Sequence, residues 1–115
     1  MKNNSVIAGV FCDIQGTLLD YGAEKINEEV LEMLEGYEKE GKAINLWTGG
    51  DVEEFRTKIR KLGIKYRVLS KYDFENRTVE IAIDDQPEKK ILKDYGIKTE
   101  CFIFYDTGAW DEDSK

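Results

Sequence analysis

A near-continuous apolar run, Val6-Ile7-Ala8-Gly9-Val10-Phe11-Cys12, breaks directly into Asp13-Ile14-Gln15-Gly16-Thr17, and no other segment constrains the chain as much. A strand apolar on both sides is buried on both sides, and such strands sit in parallel sheets covered by helices. In open α/β sheets the carboxyl ends of the strands carry the reactive crevice, so the position of Asp13 is chemically suggestive.

The rest of the chain alternates in the way such a sheet requires. Residues 14–25, with Gly16 and Gly22, read as a loop. Asn27 is the expected N-cap of a first helix, with Ile26 stapled on Leu31 and an apolar stripe of Val30, Met33, Leu34 and Tyr37 that Gly41 closes. A strand over 43–47 leaves through Thr48-Gly49-Gly50. Asp51 and Glu54 form a capping box for a second helix, whose face is Val52, Phe55, Ile59 and Leu62 and whose end is Gly63. Strands over 66–69 and 78–83 follow. Pro87 opens a third helix with Ile91, Leu92 and Tyr95 on its apolar stripe, Gly96 ends it, and 101–105 is a fifth strand. The expected architecture is a Rossmann-like three-layer α/β/α sandwich with a five-stranded, mainly parallel sheet. Residues 1–115 read as a single domain, with 106–115 as an acidic, frayed tail.

Composition excludes several functions. A net charge of -7 argues against a nucleic-acid binder. The strip Arg56, Lys58, Arg60, Lys61, Lys65 and Arg67 reads as a solvated helix face. There is no histidine, which removes Ser-His and Cys-His nucleophile systems and His-based metal sites. Cys12 and Cys101 both fall in apolar, strand-like sequence and are expected to be core thiols. No apolar run approaches the ~20 residues of a membrane span. Residues 1–5 lack signal-peptide architecture, so the cytoplasm is the expected location. Neither Gly-x-Gly-x-x-Gly nor Gly-x4-Gly-Lys-Thr is present, which disfavours dinucleotide enzymes and P-loop NTPases.

The chemistry-bearing residues all fall at carboxyl ends of expected strands: Asp13 after the first, Thr48 after the second, Lys71 after the third and Asp84-Asp85 after the fourth. Each alone is an ordinary turn, cap or surface residue. Together they bring carboxylates, a hydroxyl and an ammonium to one crevice, an arrangement that makes sense around a hard cation such as Mg²⁺. In this order the residues resemble the motifs of the haloacid dehalogenase superfamily over roughly residues 6–105. The resemblance implies Asp13 as nucleophile forming an aspartyl-phosphate. Thr48 and the Gly49 N–H would hold the phosphoryl group, and Lys71 would hold it while steadying Asp13. Asp13, Asp84, Asp85 and the Gln15 carbonyl would be the Mg²⁺ ligands. Response-regulator receivers use similar residues, but their acidic pair follows the first strand and not the fourth.

Two departures from the family pattern shape the expectation. Gln15 stands where the family keeps its second Asp, the general acid and base, and proton transfer of that kind contributes roughly 10²- to 10⁴-fold. Turnover is therefore expected to be slow or lost, with aryl and acyl phosphates penalised less than alkyl phosphates. The alternative is a non-catalytic binding or regulatory module that keeps the metal site. Second, the two points where a cap domain would insert offer only residues 14–25 and about 72–77. A capless, open crevice suits a macromolecular phosphorylated substrate or a homo-oligomer whose neighbour supplies the lid, with Tyr72, Phe74 and Trp110 as interface candidates.

Overall fold

The structure is a computed structural model and describes residues 5–105. Its elements alternate as β1 (Val6–Asp13), α1 (Glu28–Lys39), β2 (Ile44–Thr48), α2 (Val52–Lys61), β3 (Arg67–Ser70), a 3-10 helix (Lys71–Phe74), β4 (Thr78–Asp84), α3 (Glu88–Tyr95) and β5 (Lys98–Phe104). The five strands form one sheet in the order β3-β2-β1-β4-β5, and every pairing is parallel. β1 is therefore central, which accounts for its unbroken apolar run. Its register against β4 shifts between Ile7 and Val10.

Alternate residues of the strands divide the core into two clusters, one on each face of the sheet. Val10, Cys12, Leu46, Val68, Ile81 and Ile83 pack with Val30 and Leu34 of α1 and with Phe55 and Ile59 of α2. Phe11, Trp47, Val79 and Ala82 pack with Ile91 of α3 on the other side. The result is the expected three-layer sandwich.

The helix signals act as the sequence implies. The Asn27 side chain accepts hydrogen bonds from the Glu29 and Val30 N–H groups, and Asp51 accepts from that of Glu54. Pro87 is the residue just before α3, and Gly96 ends that helix in the left-handed conformation.

Two expectations need correcting. β5 begins at Lys98, not 101, because Thr78 and Val79 of β4 pair with Lys98 and Thr99; these polar residues on an edge strand carry no hydrophobic period. Cys101 is exposed and only Cys12 is a core thiol, since β5 is an edge strand with no fully buried residue whereas β1 is central. Phe74 is half-buried against the second cluster. The 3-10 helix turns it inward, with ring centroids 5.1 Å from Phe11 and 5.5 Å from Trp47.

Residues 14–25 are more than a connector. Ile14, Leu18 and Leu19 are wholly buried in the first cluster, and the segment folds back through Leu19 N–H to Ile14 O (2.8 Å) and Asn27 N–H to Leu18 O (2.7 Å). Among the described residues neither this segment nor the one around the 3-10 helix contains a folded cap. No helix among them is long and apolar enough to cross a membrane. The acidic tail and Trp110 lie outside the described residues.

Candidate active site

Parallel pairing aligns the carboxyl ends of β1, β2, β3 and β4 on one rim, and that alignment brings the predicted residues together. Asp13 ends β1, Thr48 ends β2, Lys71 follows β3, and Asp84 ends β4 with Asp85 next. They line or adjoin one cleft of about 280 Å³, whose walls also include Gln15, Tyr21, Gly49, Gly50, Phe55, Gln86 and Tyr95. A larger concavity of about 450 Å³ lies along Arg56, Arg60, Lys65 and Arg67, but it holds no carboxylate cluster or nucleophile.

The centre of the site is a buried charge cluster. Lys71 Nζ lies 3.0 Å from Asp13 Oδ1 and 3.1 Å from Asp84 Oδ2, and Lys71 itself is only 3% exposed. Asp13, Asp84 and Asp85 are all buried and each offers an oxygen within 4.8 Å of the others. Asp84 is fixed further because its Oδ1 accepts the Gln86 N–H at 3.0 Å.

These contacts set the protonation states. Burial pushes Asp13 up to about 8; the Lys71 ammonium opposes this, while the charges of Asp84 and Asp85 add to it. Burial likewise raises Asp84, again against Lys71. For Lys71, burial alone would lower the ammonium's pKa, but the two adjoining carboxylates outweigh it and hold it above its usual range.

Thr17 is consistent with a neutral Asp13. Its hydroxyl is 3.1 Å from Asp13 Oδ2 and 3.2 Å from Asp85 Oδ1. One hydroxyl hydrogen cannot serve two ionised carboxylates at once, so both contacts are satisfied together only when one carboxyl carries a proton.

The donor set fits a hard divalent cation. If all three carboxyls ionise they outnumber the one ammonium and leave uncompensated negative charge in a buried place, and every carboxylate donor is oxygen. Asp13, Asp84 and Asp85 would hold Mg²⁺, with the Gln15 carbonyl as the remaining predicted ligand. Bound there, the ion would supply positive charge that favours the Asp13 carboxylate and offsets that of a phosphoryl group.

The other wall has the character of an anion cradle. The Thr48 hydroxyl accepts the Gly50 N–H at 3.0 Å, which leaves its own O–H to donate. A Cβ on Gly49 would lie 2.1 Å from the Tyr95 hydroxyl oxygen, so a side chain there would have to displace the tip of Tyr95. Tyr95 also packs under Lys71, with Nζ 5.3 Å from the ring centroid, and burial raises its hydroxyl above the usual range, so it remains neutral.

Gln15 is placed as its motif position implies, in the wall beside Asp13, but its side chain is already engaged. Its Nε2 donates to the Tyr21 carbonyl at 2.6 Å. Tyr21 in turn donates its hydroxyl to Asp85 Oδ2 at 2.7 Å. The approach is possible because Gly16, at φ +89°, brings bare backbone against both: a Cβ there would lie 2.7 Å from Asp85 Oδ2 and 3.0 Å from the Tyr21 ring.

Tyr21 and Tyr95 are the site residues that sequence reasoning missed as such. Neither sits in a motif, and Tyr95 read simply as part of a helix stripe. A family model described as haloacid dehalogenase-like hydrolase matches residues 10–110. No curated protein and no solved structure matches the chain.

Proposed function

Because the chain belongs to the haloacid dehalogenase-like hydrolases, we propose that it is a capless, Mg²⁺-dependent phosphohydrolase or phosphotransferase with Asp13 as covalent nucleophile. The observation that carries this reading is Lys71 Nζ, buried within 3.0 Å of Asp13 and 3.1 Å of Asp84 beside a third carboxylate. A scaffold has no physical need for such a cluster, because a buried ion pair is weak as a stabilising device.

In the proposed reaction Asp13 attacks phosphorus and the leaving oxygen departs with the bonding pair. Thr48 and the Gly49 N–H hold non-bridging oxygens and Lys71 balances their charge. Water then attacks the aspartyl-phosphate and returns the Asp13 carboxylate. Gln15 has no proton to give or take in either step, so the rate rests on positioning and electrostatics. A slow enzyme follows, short by up to roughly 10²- to 10⁴-fold.

The second reading, a non-catalytic module that retains the metal site, is favoured by one observation. The Gln15 amide is committed to the Tyr21 carbonyl, a structural use of a catalytic position. Intact mass after incubation with acetyl phosphate and Mg²⁺ separates the two. One added phosphoryl group, absent in Asp13→Asn, supports the enzyme; neither adduct nor turnover supports the module.

A further inference from the structure

Building on this phosphotransfer reading, we propose that the substrate is an aryl phosphate monoester whose aromatic ring seats against Tyr95 and Tyr72 at the mouth of the cleft. Tyr95 borders the phosphoryl cradle directly, since it lines the same cleft as Asp13, Thr48, Gly49 and Lys71. Its hydroxyl abuts Gly49, and Lys71 Nζ lies 5.3 Å from its ring centroid. A ring joined to the phosphorus through one oxygen is thus within reach of this wall.

Tyr72 does not line the cleft itself but packs on Tyr95, which does. Its ring packs on that of Tyr95 at a centroid distance of 5.1 Å and an interplanar angle of 68°, yet the residue is 59% exposed. Its backbone is held in place, because the Tyr72 N–H donates to Ser70 Oγ at 3.2 Å at the start of the 3-10 helix. Phe74, two residues on, is half-buried and packs on the second core cluster, so the helix has a core-facing ring and leaves Tyr72 exposed. An exposed ring packed on a cleft residue is suited to contact another aromatic ring edge-on or offset.

The position of Gln15 leads independently to the same leaving group. Without an acid, the departing oxygen must carry its own negative charge. A phenol, with a pKa of about 10, does so far better than an alkyl alcohol, whose acidity is near that of water at ~16. The balance is complete without a further reactant. Asp13 forms the new oxygen–phosphorus bond, and the phosphorus–aryl-oxygen bond breaks. The phenolate leaves with the electron pair and takes a proton from solvent, and water later releases inorganic phosphate and the carboxylate. Nucleotides offer a ring but an alkyl leaving oxygen, whereas acetyl phosphate offers a good leaving group and no ring.

The test compares kcat/KM for phenyl phosphate, benzyl phosphate and acetyl phosphate with Mg²⁺, in the wild type and in Tyr72→Ala and Tyr72→Phe. The wild type should prefer phenyl over benzyl phosphate by at least 100-fold, in line with a missing acid. Tyr72→Ala should lower kcat/KM for phenyl phosphate by about threefold to tenfold more than for acetyl phosphate, the range of an aromatic pair. Tyr72→Phe, which keeps the ring, should recover most of that loss.

Equal effects on both substrates, or none on either, overturn the inference even if acetyl phosphate labels Asp13. Failure to label Asp13 together with no turnover overturns the phosphotransfer reading and this inference with it. A phosphotyrosyl peptide distinguishes the source of the ring. A higher kcat/KM than for phenyl phosphate, with the same Tyr72 dependence, assigns the ring to a protein; a lower one assigns it to a small phenol ester.

Discussion

Replacing Lys71 by methionine tests whether this side chain is the cation that makes the acidic cluster tolerable. Its ammonium is 3.0 Å from Asp13 and 3.1 Å from Asp84. At such distances and an effective dielectric of ~20 each contact carries about 5 kcal/mol of attraction once its carboxylate is ionised. Most of this is offset by the cost of burying the charges, and removing one member of a buried pair typically costs ~3–5 kcal/mol. Methionine preserves the length and apolar packing of the stem, so the loss is electrostatic.

The sign of the pH dependence follows from the proton equilibria. Asp13 already binds its proton up to about pH 8 in the folded protein, and an unfolded Asp releases it near 4. Folded stability from this group is therefore full at low pH and is lost as pH rises towards 8. Lys71 stays charged over that range, because its pKa is raised. Its removal should matter most where Asp13 and Asp84 are pressed to ionise.

Thermal melts in EDTA should show Lys71→Met about 10 °C or more below wild type at pH 8.5, with a smaller gap at pH 6. Adding Asp13→Asn to Lys71→Met should recover at least half of the loss, because it removes one of the stranded carboxylates. A gap under 2 °C at pH 8.5, or a double variant no better than the single, would refute the assignment of Lys71 as the balancing charge.

Gln15→Asp should raise Mg²⁺-dependent turnover by at least tenfold, more for alkyl than for aryl phosphates; steady-state phosphate release measures this, and an unchanged rate would place the defect elsewhere. The same substitution loses the Nε2 bond to Tyr21 O, so its melting temperature should fall by a few degrees, as expected for ~1 kcal/mol. Gly49→Ala should lower kcat/KM by tenfold or more, since its Cβ would meet the Tyr95 hydroxyl at 2.1 Å. Adding Tyr95→Phe, which deletes that oxygen, should restore melting temperature in part, and a double variant as unstable as Gly49→Ala would contradict the clash. Leu34→Ala, wholly buried between α1 and the sheet, should cost about 2–5 kcal/mol in urea unfolding; a loss under 1 kcal/mol would mean that α1 is not fixed by this contact.

The local sequence determined much of this protein. The double-sided apolar run of β1 marks a central parallel strand, and Asn27 and Asp51 mark helix starts by chemistry that acts within three residues. Placing Asp13, Thr48, Lys71 and Asp84-Asp85 at strand ends needs only strand boundaries and a parallel sheet, so the cluster is legible in the sequence. Tertiary structure decided what depends on distant partners. Cys101 is exposed and Phe74 packs on the core because coverage of a strand and the turn of a 3-10 helix are set by elements elsewhere in the chain. Tyr21 reaches Asp85 across 64 positions of sequence, and Tyr95 closes on Gly49 from a different layer. Periodicity records which face of an element is apolar; it does not record which remote side chain will come to rest against a reactive group, and here that contact defines the walls of the site.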